Sequence, residues 1–438
     1  MHRSARNIRR FLLSSGVACG LCVLAPAVSG QPLPTGPRLR DLADEAGISI
    51  GVRTFMINNE YNTIVEREFN AGTRTYYPRY DAAHVDADSY NFTAFNNGVN
   101  WLSGRGMQPM EHLLFGNDLY EPDWVIDITS ASALDSLMRK RIAGIMQVND
   151  NASKVHVWNV VNEALEWESD NGEYFPVTGG SDALVWAKMG WEDDRSGLTG
   201  DAKVNDRHPV FIRKAFEYAS MYAEGKLELR DNSIEFPCRK ARAFYQLVRH
   251  LQNSGAQIDA IGMQCHFDLE GPGMLDSAGL VSEIRKYRSI GVEVLLDEVD
   301  IGSKSGEWNT QLAEKQKQEY KRLMTIALRE GVGQVHFWGL RDDDEWWREG
   351  ESPLLFGQDN APKPAYYGVQ EALQGYIESG DIRHPVDLLA VRTGDPADNA
   401  RRLYTINGRL LPVSCRYDRR FRIAASRSGL VVPALPMP

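Results

Sequence analysis

Two glutamates lie at the ends of apolar segments, where a carboxylate is unfavourable unless it has a partner or a function. Glu163 closes the segment Val157–Asn162, and Glu298 follows Val294–Asp297. An ionised carboxylate within an apolar strand costs free energy unless it is paired. Either glutamate alone fits a salt bridge as well as it fits catalysis. Two such carboxylates brought together can act as a proton donor and a nucleophile, the pair that glycosidic-bond cleavage requires.

The elements that position these glutamates follow an alternating pattern between residues 41 and 375. Short apolar runs, several dense in branched residues as in buried parallel strands, alternate with amphipathic stretches of helical spacing such as Arg239–Gln252. Eight such units predict an α/β fold, a (β/α)8 TIM barrel with insertions. The eight runs are Ile48–Phe55, Thr75–Arg79, Met107–Phe115, Val155–Glu163, Leu227–Asn232, Asp259–Phe267, Val292–Ile301 and Val335–Leu340.

The barrel prediction places both glutamates on one face. Chemistry in such barrels lies at the C-terminal ends of the strands. Glu163 ends the fourth run and Glu298 lies near the end of the seventh. The largest insertion, Glu166–Arg207, follows the fourth run directly, and we expect it to lie over the site.

Composition and charge exclude several classes of protein. The 438 residues include 49 Lys and Arg against 59 Asp and Glu, a net charge of -10, with 43% hydrophobic residues. These proportions are those of a globular protein and argue against disorder or a coiled coil. The excess of acid removes the usual electrostatic basis for binding nucleic acid or an anionic membrane. We therefore expect neither partner.

The first 30 residues have the pattern of a signal peptide. Four arginines, the last two being Arg9 and Arg10, precede an apolar run from Phe11 to Leu24, and small residues follow. The run is too short to span a membrane comfortably. We expect a bacterial protein that is secreted, periplasmic or held at the cell surface, with twin-arginine export as an alternative route.

The cysteines indicate neither a disulfide scaffold nor a metal site. Cys19 and Cys22 lie in the signal segment, and the wide spacing of Cys238, Cys265 and Cys415 does not match a zinc site. A single bridge between Cys238 and Cys265 stays open. We expect no metal and no cofactor.

The C-terminal residues 379–438 differ in composition from residues 31–378, the predicted catalytic domain. They contain ten Arg, no Lys and five Asp. The stretch Arg402–Leu410 has a strand–turn–strand pattern and resembles the sorting domains of proteins exported by the type 9 secretion system. A poorly ordered basic extension is the alternative interpretation.

Several motifs resemble those of glycoside hydrolase family 10, the endo-β-1,4-xylanases. Trp158–Ala164 is similar to the family's acid/base motif Trp-Asp-Val-Val-Asn-Glu-Ala, with Asn159 in place of Asp, and Leu296–Ile301 resembles its nucleophile strand. The similarity covers roughly residues 40–375. The other segments that carry it are Ile261–Phe267, Phe337–Gly339 with Trp346, Pro353–Phe356 and Pro362–Tyr367.

This resemblance implies a role for each catalytic residue. Glu163 would be the general acid and then the base, and Glu298 the nucleophile of a retaining reaction, with carboxyl groups ~5–5.5 Å apart. Asn162 would hydrogen-bond the sugar 2-hydroxyl, a contact that strengthens in the transition state. His266 and Asp300 would form a hydrogen-bonded chain that keeps Glu298 ionised and oriented.

The resemblance also implies substrate contacts. His112 and Gln264 would contact the sugar, and Trp338 and Trp346 would form an apolar wall of the sugar site. Ordinary barrel packing is an equal interpretation for Trp346.

Two motifs depart from the family pattern. Thr75–Tyr80 replaces Glu-Asn-Glu-Met-Lys-Trp, and in His112–Asn117, which replaces His-Thr-Leu-Val-Trp-His, Gly116 stands where the family has Trp. The resemblance therefore implies that the catalytic residues are retained while the sugar contacts differ. Arg79 stands where the family has Lys, and an Arg does not reproduce the compact charge of a Lys. The substitute contacts that we propose on these segments are Tyr77, Arg79, Tyr80 and Asn117.

Three functions are compatible with these residues. The leading hypothesis is a secreted, retaining endo-β-1,4-xylanase that acts on xylan as a monomer. The altered motifs would also permit the same mechanism on a β-glucan or another β-glycoside, because specificity depends on site contacts and not on the fold. A catalytically weak carbohydrate-binding protein is the third hypothesis, and the presence of both glutamates argues against it.

Overall fold

Eight parallel strands form a closed barrel, as the alternating pattern predicts. Adjacent strands pair in chain order, β8 pairs with β1, and every pairing in the barrel is parallel. The strands are β1 Ser49–Arg53, β2 Ala71–Thr73, β3 Gln108–Glu111, β4 Val157–Asn162, β5 Lys226–Asp231, β6 Ala260–Met263, β7 Glu293–Gly302 and β8 Gln334–Phe337.

The computed structural model describes residues 33–55, 58–75, 84–86, 89–178, 183–305, 308–344 and 346–380, with the backbone alone at 84–86 and at Trp346. The predicted signal segment, Tyr77, Arg79, Tyr80 and the tail beyond Gly380 lie outside these residues. Short strands outside the barrel pair His84–Asp86 with Ser89–Tyr90 and Trp191–Asp193 with Arg207–Pro209.

Helices connect the strands, and several begin where the sequence supplies a capping side chain. The helices are α1 Leu39–Ala46, α2 Asn59–Glu68, α3 Thr93–Ser103, α4 Asp123–Ile126, α5 Ala131–Gln147, α6 Asn151–Lys154, α7 Val210–Ser220, α8 Arg239–Asn253, α9 Ser277–Ser289, α10 Thr310–Arg329 and α11 Pro364–Ser379. At the start of α2, α5, α9 and α10, a side chain accepts a backbone N–H of the first turn and so satisfies a donor that the helix leaves unpaired. These side chains are Asn58, Ser130, Asp276 and Asn309, respectively.

Two predicted strands were wrong in position or extent. The second strand is Ala71–Thr73 and not Thr75–Arg79. Small residues form it because it packs closely on α3: a Cβ on Gly72 would lie 2.6 Å from Leu102 Cδ2. The predicted run Asp259–Phe267 is broken at Cys265, whose φ is 63°, and continues as a separate short strand, His266–Asp268.

The barrel contains a small apolar cluster and several buried polar side chains. Met110, Val157, Ala260 and Leu295 form the apolar cluster, which is separate from the large core between strands and helices. The polar side chains come from β3, β5, β7 and β8. Met110 Sδ accepts from Gln334 and Arg230 across the barrel, and Glu111, Glu228, Arg230, Asp297 and Gln334 are all buried.

The segment Glu166–Arg207 packs against the outside and rim of the barrel. The Trp186 indole donates to Glu121 Oε1 at 2.9 Å, and its ring meets Phe115 edge-on. Glu192 pairs with Arg213 on α7 and His250 on α8. These contacts attach the segment to the helices beside β4 and β5, and its predicted place over the site stays a prediction.

Cys238 and Cys265 are both free thiols, which leaves no bridge between them. The Cys238 sulfur instead accepts the Ala241 N–H at the start of α8. Among the described residues, no helix combines the length and the apolar character that crossing a membrane would require.

Replacing Gly262 with alanine is expected to destabilise the protein by about 1–3 kcal/mol. A Cβ there would overlap Glu228 Oε1 and come within 2.5 Å of Asp297 Oδ2, so two buried carboxyl groups would have to move. Gly375→Ala in α11 is the matched control, because its Cβ would meet nothing within 4 Å and alanine favours a helix by about 1 kcal/mol. Denaturant unfolding compares them, and equal effects would contradict the packing described here.

Candidate active site

Glu163 lies directly after β4 in an unusual backbone conformation. Its φ is 50°, in the left-handed region that costs a non-glycine residue roughly 1–3 kcal/mol. The pairing of β4 with β5 shifts register between Asn159 and Val161, and the Glu163 N–H donates to the Arg230 carbonyl at 3.0 Å. Irregularities of this kind redirect side chains next to active sites.

The Glu163 carboxyl group is half-buried and receives a hydrogen bond on each oxygen. Gln264 Nε2 donates to Oε1 at 2.8 Å, and the Tyr120 hydroxyl donates to Oε2 at 3.2 Å. Both donors are neutral. Among the described residues, the Glu163 carboxyl group is thus oriented by two neutral donors.

Glu298 lies within β7 in a different environment. It is 4% exposed, with Arg230 Nη1 at 3.1 Å from Oε1 and His266 Nε2 at 3.3 Å from Oε2. Burial raises the pKa of Glu298, but the hydrogen bond from His266 and the charge of Arg230 outweigh it and lower the pKa to about 2. Glu298 is therefore anionic at any ordinary pH.

The predicted chain through His266 and Asp300 is present. His266 Nδ1 lies 2.8 Å from Asp300 Oδ2. Burial lowers the pKa of His266, but the charge of Asp300 and hydrogen bonds to Asp300 and Glu298 raise it to about 10. Asp300 is in turn bound by Arg348, so an imidazolium is held between two carboxylates.

Arg230 contacts Glu298 directly, and the sequence analysis did not identify it. It is buried at the end of β5, where its Nε and Nη2 donate to both oxygens of Glu228 while Nη1 donates to Glu298. Nη2 also lies 3.7 Å from Asp297. The available signal was an arginine within the short apolar run Leu227–Asn232, which required a buried partner of opposite charge.

His112 lies beside this arginine at the end of β3. Its Nδ1 is 2.9 Å from Asn159 Oδ1, 3.0 Å from Arg230 Nη1 and 3.9 Å from Glu298 Oε1. Burial and the Arg230 charge lower the pKa of His112 to about 3, so its ring is neutral. Asn159, which replaces the family's Asp, suits a neutral ring because it adds no charge.

Trp338 lies next to His112, and its predicted role as a wall of the sugar site stays a prediction. The two rings meet edge-on at 5.0 Å, and the Arg53 guanidinium lies 4.3 Å from the Trp338 ring centroid. One side of the indole is thus occupied by a cation that the sequence analysis did not identify.

Asn162 is buried directly before Glu163. Its Oδ1 lies 3.4 Å from Gln264 Nε2. Its Nδ2 is a buried donor with no hydrogen-bond partner among the residues that the structure describes. An unpaired buried donor costs free energy, and a hydroxyl group bound in the site would satisfy it.

Of the remaining predicted contacts, the structure describes the side chain of Asn117 and the backbone of Trp346. Asn117 is fully buried, and its Oδ1 caps the 3-10 turn Asp118–Tyr120 by accepting the Leu119 N–H; its contact with a sugar stays a prediction. Trp346 lies in the 3-10 turn Trp346–Arg348. Its neighbour Trp347, which was missed, is 45% exposed and meets the His266 ring edge-on at 4.9 Å.

Asp194, His208 and His250 form a cluster with ligand atoms close enough for a metal ion, but its hydrogen bonds already use the ring nitrogens. The Arg195 N–H donates to His250 Nδ1 at 3.0 Å, so the ring proton lies on Nε2, which is 3.0 Å from Glu192. His208 Nε2 lies 2.9 Å from Asp194 Oδ1. These hydrogen bonds attach the segment Glu166–Arg207 to His250 on α8.

Comparison with known proteins places this geometry in a family. The sequence profile of glycosyl hydrolase family 10 matches residues 38–372. An endo-1,4-beta-xylanase B of Thermotoga neapolitana is 25% identical over 353 residues, 77% of this chain and 91% of that protein. An exoglucanase XynX of Acetivibrio thermocellus is 29% identical over 299 residues, 64% of this chain but 24% of that protein, so the chain spans about a quarter of this relative.

A solved structure agrees. The crystal structure of xylanase 10B from Thermotoga petrophila RKU-1 in complex with xylobiose superposes with a TM-score of 0.67 at 25% identity, covering 78% of this chain and 99% of that one. With the barrel, the paired glutamates and a profile match across most of its length, the chain belongs to glycosyl hydrolase family 10.

Proposed function

We propose that this protein is a retaining endo-β-1,4-xylanase with Glu163 as acid/base and Glu298 as nucleophile. The observation that carries the proposal is the contrast between the two carboxyl groups. Glu298 is bound by two cations and stays ionised, whereas Glu163 is half-buried and bound by two neutral donors. A pair of carboxyl groups in distinct environments is what separate nucleophile and acid roles require.

The reaction follows from these environments. A Glu298 oxygen attacks the anomeric carbon while Glu163 donates its proton to the glycosidic oxygen, whose bond to that carbon breaks. The leaving group departs as an alcohol, and the sugar stays bound to Glu298 as a covalent glycosyl ester. Water then gives a proton to Glu163 and attacks the anomeric carbon, and the Glu298 carboxylate departs. The unpaired Nδ2 of Asn162 supports its proposed hydrogen bond to the sugar 2-hydroxyl.

Xylan is the substrate best supported by the relatives. Their names and the xylobiose complex of the Thermotoga petrophila enzyme concern xylan-derived sugars. A β-glucan is the second candidate, favoured by the altered second and third strand motifs and by the exoglucanase among the relatives. We also propose export to the periplasm, cell surface or medium, on the N-terminal pattern of arginines and apolar residues, and action as a monomer.

Reducing-end release from purified xylan, mixed-linkage glucan, cellulose and mannan tests the proposed substrate. The wild type is expected to release sugars from xylan, and Glu298→Ala to release none from any polymer because the nucleophile is gone. Glu168→Ala, an exposed glutamate near Glu163, is the control and is expected to match the wild type. Release from a glucan alone would shift the substrate assignment, and turnover by folded Glu298→Ala would refute the nucleophile.

The acid limb of kcat/KM tests the His266–Glu298 pair. The nucleophile must be ionised, and with a pKa of about 2 Glu298 causes no loss of wild-type activity between pH 7 and pH 4. His266→Gln removes the cation, so the limb is expected to rise by at least about one pH unit toward the ordinary glutamate value near 4.3. His156→Gln, at the opposite end of β4, is the control. An unmoved limb in folded His266→Gln would contradict the role of the imidazolium.

A further inference from the structure

The glycine that replaces the family tryptophan leaves a space that Tyr120 fills. A Cβ built on Gly116 would lie 2.9 Å from Tyr120 Cδ2, 3.2 Å from the Asn162 carbonyl oxygen and 3.4 Å from Leu113 Cδ1. Real Cβ atoms do not approach a ring carbon this closely without displacing it. The Tyr120 ring therefore occupies the place where any larger side chain at position 116 would begin.

The turn that carries Tyr120 is held on both sides. Asn117 Oδ1 accepts the Leu119 N–H at 3.1 Å. Asp118 is buried, its N–H donates to the Ala183 carbonyl at 2.7 Å, and its Oδ1 accepts the Val185 N–H at 2.6 Å. Ala183 and Val185 belong to the segment Glu166–Arg207, so this segment holds the turn in place by hydrogen bonds and thereby positions the Tyr120 ring.

We propose that Tyr120 is the positioning residue of the acid/base Glu163, and that Gly116 is the residue that admits it to the site. The Tyr120 hydroxyl donates to Glu163 Oε2 while Gln264 donates to Oε1, so the carboxyl plane is set by one donor from the segment after β3 and one from the end of β6. This inference rests on the proposed function, because it assigns a task to Tyr120 only if Glu163 transfers protons.

The hydrogen bond has a direction that predicts its kinetic signature. A hydroxyl that donates to a carboxylate stabilises the anion, and it also fixes where the proton of the neutral acid can point. Substrates with poor leaving groups need that proton in the first step, whereas activated aryl glycosides leave without it. Loss of the hydroxyl therefore affects the two kinds of substrate unequally, which a general loss of folding would not do.

The test compares kcat/KM for xylotetraose with that for 2,4-dinitrophenyl β-xylobioside in matched variants. Tyr120→Phe is expected to lower the first about tenfold, the scale of one hydrogen bond to a charged group, while the aryl substrate changes less than about threefold. The alkaline limb on xylotetraose is expected to move to higher pH, because the carboxylate has lost a donor. Glu163→Ala marks the full loss of the acid.

Gly116→Ala tests whether the Tyr120 ring depends on the space that Gly116 leaves. It is expected to reproduce the selective loss of Tyr120→Phe by displacing the ring, and the double variant to lose little more than either single variant, because both remove the same contact. Tyr218→Phe is the control, since that hydroxyl donates to another carboxylate, Asp135, at 2.8 Å between α7 and α5. It is expected to leave both substrates and the pH profile unchanged.

The outcomes separate this inference from the proposed function. The role of Tyr120 alone is overturned if the wild type is active and Tyr120→Phe has the same kcat/KM on both substrates. It is also overturned if Tyr120→Phe loses kcat/KM equally on both substrates and its alkaline limb does not shift. No wild-type turnover, or unchanged xylotetraose turnover in Glu163→Ala, overturns the proposed function and this inference together. The selective loss with the shifted limb supports both.

Discussion

One arginine at the end of β5 contacts both glutamates, and the site is organised around it. The Arg230 carbonyl accepts the Glu163 N–H, and its guanidinium donates to Glu298. Gln264, after β6, makes the reverse pair of contacts: its side chain donates to Glu163 and its carbonyl accepts the Glu298 N–H. Because β5 and β6 lie between β4 and β7, the intervening strands determine how the two carboxyl groups face each other.

The same arginine balances the charge of the barrel interior. Burial raises the pKa of Asp297 and of Glu111 well above the usual range, so both favour the neutral form. Two guanidinium nitrogens of Arg230 donate hydrogen bonds to Glu228, and the third donates to Glu298. A buried cation is stable only with such partners, and it gives Glu298, the proposed nucleophile, a second positive neighbour besides His266. The charges of the polar interior thereby reach Glu298.

The sequence predicted the barrel, the two glutamates and the His266–Asp300 chain, because each depends on a local run of residues and where it ends. Arg230, Tyr120 and Trp347 were missed because their contacts join distant segments and depend on strand register and loop packing. The second strand was misplaced for a related reason: Ala71–Thr73 is built from small residues, which carry little apolar signal, while the aromatic residues that follow carry more. The departure at Gly116 likewise involves a contact between separate segments, because a Cβ at that position would meet the Tyr120 ring.

Covalent trapping tests the central claim most directly. A 2-deoxy-2-fluoro xylobioside with a dinitrophenolate leaving group slows both steps through its fluorine but keeps the first step accessible, so a double-displacement enzyme accumulates the glycosyl ester. Mass spectrometry of the intact protein and its peptides is predicted to show one added glycosyl group, attached to Glu298. Attachment to another residue, or full turnover of xylan with no adduct, would contradict the account.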